Sequence, residues 1–294
     1  MHHKIICFGE TLWDILPSGK MPGGAPMNVA IHLTYSGFAP LVISRIGNDD
    51  PGKELLRFLQ EKKVSTQWIQ IGETYLTGVV KADISDKNEV IYKIVEPAAW
   101  DYIAYDEQVA KLVAVSDVFI YGSLAARNPT SRKTLLRYLK LAKFKVIDVN
   151  LRPPYYNQER IEVLLDFADT AKMNDQELEE ISGWFGWEGN EQEQMQALKQ
   201  YFKLQLLLVT RGEKGAAVLA ETGYQEHKGY KVKVEDTIGS GDAFLATFLK
   251  NYLQQEPIQK ALANACLMGA YVAAQKGATP QIDLSKFESL PSAL

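Results

Sequence analysis

Cysteine is scarce in this 294-residue sequence, which contains only Cys7 and Cys266. Two cysteines so far apart exclude a disulfide framework and a zinc site of the C-x-x-C type. Both lie in apolar surroundings, where a cysteine usually packs as a small buried hydrophobic residue. The four histidines show no metal-ligand spacing. We therefore expect a protein of a reducing compartment, the cytoplasm, with no metal site made of cysteine or histidine.

An excess of charge of one sign is also missing, because 32 Lys and Arg face 36 Asp and Glu and the formal net charge is −4. We expect no nucleic-acid partner and no membrane surface as partner, because both call for a basic footprint. Long hydrophobic runs are lacking too, since the stretch 261–274 contains Asn264 and is too short to span a bilayer. No signal-peptide pattern is present, and 46% hydrophobic residues is typical of a soluble globular protein.

Short apolar runs alternate with amphipathic stretches along the chain. The strand candidates are 4–9, 41–47, 117–122, 145–150, 170–174, 206–210 and 216–220. Helical patterns occupy 26–36, 52–63, 106–115, 129–143, 158–167, 175–182 and 191–202. This alternation predicts an α/β fold with a largely parallel sheet that helices cover on both faces. Ligands of such sheets bind beyond the carboxyl ends of the strands, where polar clusters follow several of the candidates.

One segment breaks the alternation. Residues 77–84 and 90–96 alternate polar and apolar side chains, and the polar residues 85–89 separate them. This pattern predicts an antiparallel hairpin instead of two strands joined by a helix. The pattern alone fits either an edge of the main sheet or a lid over a site.

The segment 236–244, DTIGSGDAF, places two glycines, a serine and an aspartate at a predicted helix start. Free backbone N–H groups and the positive end of the helix dipole favour an anion there. Asp242 has two interpretations: an acidic residue that stabilises the helix start, or a general base facing a hydroxyl that attacks phosphorus. The P-loop pattern GxxxxGK[ST] is absent, and GxGxxG fails because Phe244 occupies its third glycine position.

A second segment, 22–28 (PGGAPMN), places Gly23 and Gly24 before another predicted helix. Paired glycines allow either the close approach of a ligand to the backbone or a sharp turn. Asn28 falls in the first helical turn, and its side-chain amide can both donate to and accept from sugar hydroxyls. Alone this segment is a weak signal, but together with 236–242 it is specific.

The two segments together make the chain resemble the ribokinase-like (PfkB-type) carbohydrate kinases. Residues 23–28 are similar to the family's N-terminal signature, and 236–242 to its C-terminal signature DTxGAGD, with Ser240 in place of the commoner alanine. Residues 45–52, 148–153 (D-x-N-x-R), 174–177 (N-x-x-E) and 209–215 match further family elements, so the resemblance extends over essentially the whole chain. Within the family, 9–14 and 92–101 look most like bacterial fructokinases.

The resemblance implies one three-layer α/β/α domain over residues 1–294, with a mostly parallel sheet and a small antiparallel β lid formed by about 10–25 and 74–102. It implies transfer of the γ-phosphoryl of ATP, with Mg²⁺, to the primary hydroxyl of fructose, giving fructose 6-phosphate. The alternative is another kinase of the family, acting on ribose, 2-keto-3-deoxygluconate or a nucleoside. A non-catalytic sugar-binding protein is disfavoured, because it would be expected to have lost the aspartate or the glycines of 236–242. A homodimer through the lid is plausible, since an exposed apolar sheet face is stabilised when a second copy of the chain buries it.

The resemblance also implies roles for individual residues. The catalytic set is Asp242 as the base, the backbone N–H groups of Gly239, Ser240 and Gly241, and Arg152, for which a salt bridge within its loop is the alternative. The sugar contacts are Asp14, Gly23, Gly24, Asn28, Tyr92, Trp100 and Asn150. The nucleotide contacts are Asn174, Thr210, Gly212, Gly215, Thr237, Asn264 and Gly277. Glu177 is expected to hold Mg²⁺ through water, and Asp236 a monovalent cation such as K⁺.

Overall fold

The computed structural model describes residues 3–16, 19–84 and 90–282. The strands are β1 Ile5–Phe8, β2 Leu12–Leu16, β3 Gly19–Gly23, β4 Leu41–Gly47, β5 Ile69–Gly72, β6 Gly78–Ile84, β7 Val90–Ile94, β8 Val118–Gly122, β9 Lys145–Asp148, β10 Thr170–Asn174, β11 Leu206–Thr210, β12 Ala216–Ala220 and β13 Gly223–His227. The α-helices are α1 Ala25–Tyr35, α2 Asp50–Glu61, α3 Glu107–Ala114, α4 Pro129–Leu139, α5 Gln158–Asp166, α6 Asp175–Phe185, α7 Glu191–Tyr201, α8 Ser240–Leu253 and α9 Ile258–Ala273.

The larger sheet has nine strands in the order β13-β12-β11-β10-β9-β8-β1-β4-β5. From β5 to β11 every pairing is parallel, and β12 and β13 add an antiparallel edge. The inner strands β1 (IICF) and β8 (VFIYG) are buried along their whole length, as a parallel sheet covered on both faces requires. The predicted mostly parallel α/β sheet is therefore confirmed.

Each face of this sheet packs against its own layer of helices. Helices α3 to α7 share one hydrophobic cluster, in which Phe119, Tyr121 and Tyr138 are fully buried. Helices α1, α2, α8 and α9 share the other cluster. Side chains alternate between the two clusters along each strand, so that Ile6 and Phe8 of β1 enter the first and Ile5 and Cys7 the second. The result is a three-layer α/β/α arrangement.

A separate sheet of four strands, in the order β3-β2-β6-β7, stands beside the larger one. Its outer pairs, β2–β3 and β6–β7, are antiparallel, and the central pair β2–β6 is parallel. The β6–β7 pair is the hairpin that the alternating pattern predicts. Strands β2 and β3 escape the sequence pattern, because β3 (GKMPG) holds two glycines and a proline, which are depleted in strands.

Local hydrogen bonds fix the first or last residue of several helices. Helix α2 begins at Asp50, earlier than the pattern predicts, because the Asp49 carboxylate accepts from Gly52 N at 2.8 Å. Helix α4 ends at Leu139, short of the predicted 143, in a turn where Tyr138 O accepts from two following N–H groups. None of the helices described has the length and apolar character needed to cross a bilayer.

Candidate active site

Two cavities open where the carboxyl ends of the parallel strands meet the loops that follow them. The first, of about 610 Å³, is lined by residues of the β1, β9 and β10 ends, the small sheet and the start of α8. The second, of about 800 Å³, lies between the β11 and β12 region and helices α8 and α9. Asn174, Thr237 and Gly241 line both cavities. Two ligands bound side by side would therefore meet at the first turn of α8.

The first turn of α8 is shaped by Gly239, the helix N-cap, which has a left-handed backbone with φ of 77°. A Cβ at this position would lie 2.5 Å from Ala278 Cα, so any larger residue would displace the loop. Ser240 donates its Oγ–H to Gly269 O at 3.0 Å and its N–H to Thr237 O at 3.3 Å. The loop thus points a helix N-terminus, with its N–H groups and positive dipole end, at the junction of the cavities.

Asp242 follows in the same turn, and its side chain is 9% exposed. Burial first and the nearby Asp148 second raise the pKa of its carboxyl to about 6, against the opposing effects of Lys172, Asn28 and Arg152. Asn28 Nδ2 donates to Asp242 Oδ2 at 2.8 Å. A carboxyl with such a pKa is ionised at neutral pH and still has enough proton affinity to act as a general base.

Helix α1 brings Asn28 to this point. Its N-cap, Gly24, has φ of 118° and no side chain that caps the helix, and a Cβ there would overlap Glu10 O. Instead, Glu10 Oε1 accepts from Ala25 N at 3.3 Å, so a side chain of another loop caps the helix. The first turn of α1 is thereby fixed with Asn28 facing Asp242.

The first cavity has an acidic wall. Glu10, Asp14 and Asp242 line it together with one cation, Arg152. Burial raises the pKa of Glu10 to about 7 and that of Asp14 to about 6. Arg152 is exposed and donates from Nη1 to Leu151 O at 3.1 Å, and it forms no ion pair within the described part of the chain. The salt bridge considered as its alternative role is therefore absent there.

Glu177 ties two loops together. It forms a reciprocal cap with Asn174, whose Oδ1 accepts from Glu177 N and whose N–H donates to Glu177 Oε2, each at 2.8 Å. Its other oxygen, Oε1, accepts from Leu151 N at 2.7 Å. Among residues 3–16, 19–84 and 90–282, no group of three or more His, Cys, Asp or Glu side chains could hold a metal ion by itself.

Most of the residues expected from the sequence come together at the two cavities. The first is lined by Asp14, Gly24, Asn28, Asn150, Arg152, Asn174, Thr237, Gly239, Gly241 and Asp242. The second is lined by Asn174, Thr210, Gly212, Gly215, Thr237, Ser240 and Gly241. Gly23 lies directly behind the first cavity, where a Cβ would overlap the Asp14 carboxylate.

Besides Gly23, five of the expected residues line neither cavity: Glu177 and Asp236, which are expected to hold the metal ions, and three of the sugar and nucleotide contacts. Trp100 is fully buried behind the cavity wall, with the Arg127 guanidinium 4.0 Å from its ring centroid and Gly78 against its indole nitrogen. Asn264 joins α9 to α8, since its Nδ2 donates to Asn251 Oδ1 at 2.8 Å. Gly277 donates its N–H to Asp236 Oδ2 at 3.2 Å. The side chain of Tyr92 lies outside the described residues.

Two side chains at the site were given no role from the sequence. Glu10 follows β1 directly, which is the position at which polar residues of α/β proteins reach a ligand. Lys172 is the charged residue of β10, a strand that is buried up to its last residue, and donates from Nζ to Asp148 Oδ1 at 2.9 Å. A charge within a buried strand is the signal that would have identified it, because such a charge needs a partner.

The family of the chain follows from comparison with known proteins. The family model described as "pfkB family carbohydrate kinase" matches residues 8–284. The chain belongs to this family. The resemblance seen in the sequence is confirmed, and the protein is a carbohydrate kinase, a phosphotransferase with an alcohol acceptor.

Named relatives of this pfkB-family kinase come from plants and bacteria. "Probable fructokinase-3" of Arabidopsis thaliana is 30% identical, and the match covers 95% of this chain and 88% of the relative. The fold is shared with a fructokinase from Xylella fastidiosa solved with bound ATP, at 24% identity, a TM-score of 0.84 and 98% coverage of both chains. It is also shared with a fructokinase from Vibrio cholerae O395 solved with fructose, ADP and calcium, at 24% identity, a TM-score of 0.81 and 95% coverage of both chains.

Proposed function

We propose that the protein is an ATP-dependent fructokinase, which transfers the γ-phosphoryl of ATP to the primary hydroxyl at carbon 6 of fructose and releases fructose 6-phosphate. The observation that carries the proposal is the position of Asp242, a buried carboxylate in the first turn of α8 where the two cavities meet. A base at that junction faces an acceptor hydroxyl from one cavity and a phosphoryl group from the other. Relatives named fructokinase supply the choice of sugar.

The charge of the first cavity supports a neutral sugar. Among the described residues that line it, Asp14 and Asp242, with pKa values of about 6, are mostly ionised at neutral pH, and Glu10, with a pKa of about 7, is partly ionised. Within that described lining, Arg152 is the one cation that faces them. Such a wall attracts hydroxyl donors and repels anions. It therefore disfavours 2-keto-3-deoxygluconate, whose carboxylate would enter an acidic site. Fructose, ribose and the ribose of a nucleoside all remain compatible with the charge. A solved structural relative bound to fructose and ADP favours the first of these.

In the proposed reaction the Asp242 carboxylate takes the proton of the attacking hydroxyl. The oxygen of that hydroxyl forms the new bond to the γ-phosphorus as the bond to the β-phosphate oxygen breaks, and ADP leaves. Negative charge on the transferring oxygens is stabilised by the N–H groups of Gly239 and Gly241 and by the Arg152 guanidinium. The Ser240 N–H joins them by sharing its hydrogen with Thr237 O, which is 3.3 Å away. Because the transition state is loose, positioning and charge stabilisation account for most of the rate.

The second cavity is the proposed ATP site. Thr210, Gly212 and Gly215 line it at the end of β11, together with Lys214 and Lys231. The two lysines supply positive charge for a triphosphate. A structural relative from Xylella fastidiosa was solved with bound ATP.

Mg²⁺ fits beside Glu177, because each of its carboxylate oxygens accepts one hydrogen bond and keeps a lone pair for a metal-bound water. When bound there with ATP, the ion would balance the charge of the phosphates. Asp236 accepts from Ile238 N and Gly277 N, one bond to each oxygen, and is the proposed ligand of a monovalent cation such as K⁺.

The small sheet is proposed to be a lid over the sugar, within one domain that spans residues 1–294. Leu12, Val80 and Ile94 of this sheet line the first cavity and would keep water from the phosphoryl group. Exposed Ile15 on β2 and exposed Leu76 just before β6 support a homodimer through the same sheet. We place the reaction in the cytoplasm, where ATP is available and where the free thiols of Cys7 and Cys266 stay reduced.

The test is ADP release with MgATP and a panel of fructose, ribose, 2-keto-3-deoxygluconate, glucose and adenosine. We expect the highest kcat/KM with fructose. Asp50→Asn is the matched control for Asp242→Asn, because Asp50 also lies in the first turn of a helix but its side chain is 89% exposed. Preference for another sugar would refute the choice of fructose, and equal activity of the two variants would refute the role of Asp242.

A further inference from the structure

A buried ion pair lies beneath the first turn of α8. Lys172 of β10 and Asp148 of β9 face each other in the register of the two parallel strands. Lys172 Nζ is 2.9 Å from Asp148 Oδ1 and 3.1 Å from Oδ2. Both side chains are buried, and the pair sits at the carboxyl ends of its strands, next to the junction of the cavities.

The ammonium of this pair touches the loop that carries the proposed base. A Cβ on Gly241 would lie 2.9 Å from Lys172 Nζ, so the lysine packs against the backbone of the residue before Asp242. Glycine at 241 is what leaves room for it. Lys172 is therefore fixed from below by Asp148 and from above by the start of α8.

Three carboxylates surround this one cation. Asp148 accepts its hydrogen bonds, while Asp242 and Glu177 lie within electrostatic range. The Glu177 oxygens accept from backbone N–H groups, so among the described residues Asp148 alone is hydrogen-bonded to the ammonium. Burial lowers the pKa of Lys172, but the three carboxylates outweigh it and the pKa is raised. The lysine therefore stays charged at every pH at which the protein would work.

Several charged groups face Asp242 from the elements around it. They are Lys172 on β10, Asp148 on β9, Arg152 in the loop after β9 and Glu10 in the loop after β1. From α1 the neutral Asn28 donates to Asp242. Asp148 and Lys172 act on Asp242 in opposite directions, the first favouring its protonated form and the second its carboxylate.

We propose that Lys172 is a positioning residue whose ammonium, held under Gly241 by Asp148, keeps Asp242 in the carboxylate form that can take a proton. This inference deepens the proposed function and rests on Asp242 as its base. Asp148 has two effects: it fixes the ammonium in place, and its own negative charge limits how far the proton affinity of Asp242 falls. The opposed pair thus sets the lower end of the pH range in which the kinase works.

The experiment compares Lys172→Met, Asp148→Asn and their double variant with the parent protein. Lys145→Met is the matched control, because Lys145 is also ion-paired on β9, with Asp169 at 2.8 Å, but at the opposite end of the strand. Two readouts are taken: the carbon-13 NMR titration of the Asp242 carboxyl, assigned with Asp242→Asn, and the pH profile of kcat/KM for fructose. The NMR titration needs no substrate.

We expect Lys172→Met to raise the pH of the Asp242 titration midpoint by about one unit or more, because the carboxylate loses a nearby opposite charge. The acid limb of the kcat/KM profile should move to higher pH by the same amount. Asp148→Asn should lower both midpoints, the double variant should fall between the two, and Lys145→Met should leave them unchanged. If Lys172→Met does not fold, the double variant is compared with Asp148→Asn, because the two differ only at Lys172, and the Asp242 midpoint should be higher in the double variant.

The inference is overturned if the NMR midpoint of Asp242 stays in place in Lys172→Met and in Asp148→Asn. It is also overturned if Lys172→Met lowers kcat equally at every pH with no shift of the midpoint. That result would mean that the lysine contacts the transferring phosphoryl group directly or only supports the packing. Failure of the proposed function gives a different signature: shifted NMR midpoints with no turnover of any sugar in the parent protein.

Discussion

Replacing Asp242 with asparagine should lower the activity by orders of magnitude and at the same time stabilise the protein. The substitution removes a buried negative charge but keeps an oxygen that can accept from Asn28 Nδ2, which is 2.8 Å from the carboxylate. The shape of the site is therefore preserved. Only the charge and the ability to take a proton are lost.

The size of the stabilisation follows from the pKa of Asp242, which burial above all raises from 3.8 to about 6. A rise of about 2 units corresponds to about 3 kcal/mol, at about 1.4 kcal/mol per unit. Because the pKa in the folded state is above that in the unfolded state, the carboxylate costs stability above pH 6. The cost shrinks as the pH falls from 6 to 4 and is gone once both states are protonated.

Asparagine cannot ionise, so the variant should unfold at a higher urea concentration than the parent protein at pH 7.5, and the difference should vanish near pH 4. The activity should fall by about 10²–10⁴, the usual effect of losing a general base. Urea unfolding at the two pH values and coupled ADP release measure these effects. A variant less stable than the parent at pH 7.5 would refute the buried-carboxylate reasoning, and activity within about tenfold of the parent would refute the base.

Three further substitutions separate the contributions of the site. Asn28→Ala should shift the acid limb of the kcat/KM profile to higher pH and lower kcat/KM by about 10–100-fold, because the Asp242 carboxylate loses a hydrogen bond. An unchanged pH profile would contradict this. Gly239→Ala should lower kcat by about 10² or more, since its Cβ would meet Ala278 Cα at 2.5 Å and displace the anion loop; circular dichroism checks that the fold is kept. Trp100→Phe should lower thermal stability and leave KM for the sugar unchanged, because the indole is fully buried behind the cavity. A raised KM would instead indicate that Trp100 contacts the sugar.

The sequence predicts the sheet well because buried parallel strands are short apolar runs. Strands β4, β10, β11 and β12 have the bounds that their patterns indicate. The glycine-rich start of α8 is equally clear from its residues. Only the β6–β7 half of the second sheet can be predicted from the sequence. Strands β2 and β3 carry polar residues and glycine, and the pairing of β2 with β6 is a long-range contact.

The site residues that the sequence misplaces or overlooks depend on tertiary contacts. Trp100 falls within the expected lid segment 74–102, but a sequence pattern does not show whether its ring points toward the sugar or into the packing beneath Gly78. The ion pair of Lys172 with Asp148 depends on the register of β9 and β10, which the sequence alone does not show. Glu10 caps α1 across a loop, through a bond between residues 15 positions apart.

In the proposed reaction the base at the junction of the two cavities activates the primary hydroxyl of fructose. NMR of the product formed from MgATP and fructose labelled with carbon-13 at position 6 tests it most directly. We expect carbon–phosphorus coupling at the labelled carbon with the parent protein, and formation of the same product at least about 10²-fold more slowly with Asp242→Asn. Phosphorylation at another carbon, or no transfer to fructose alongside rapid transfer to another acceptor, would contradict it.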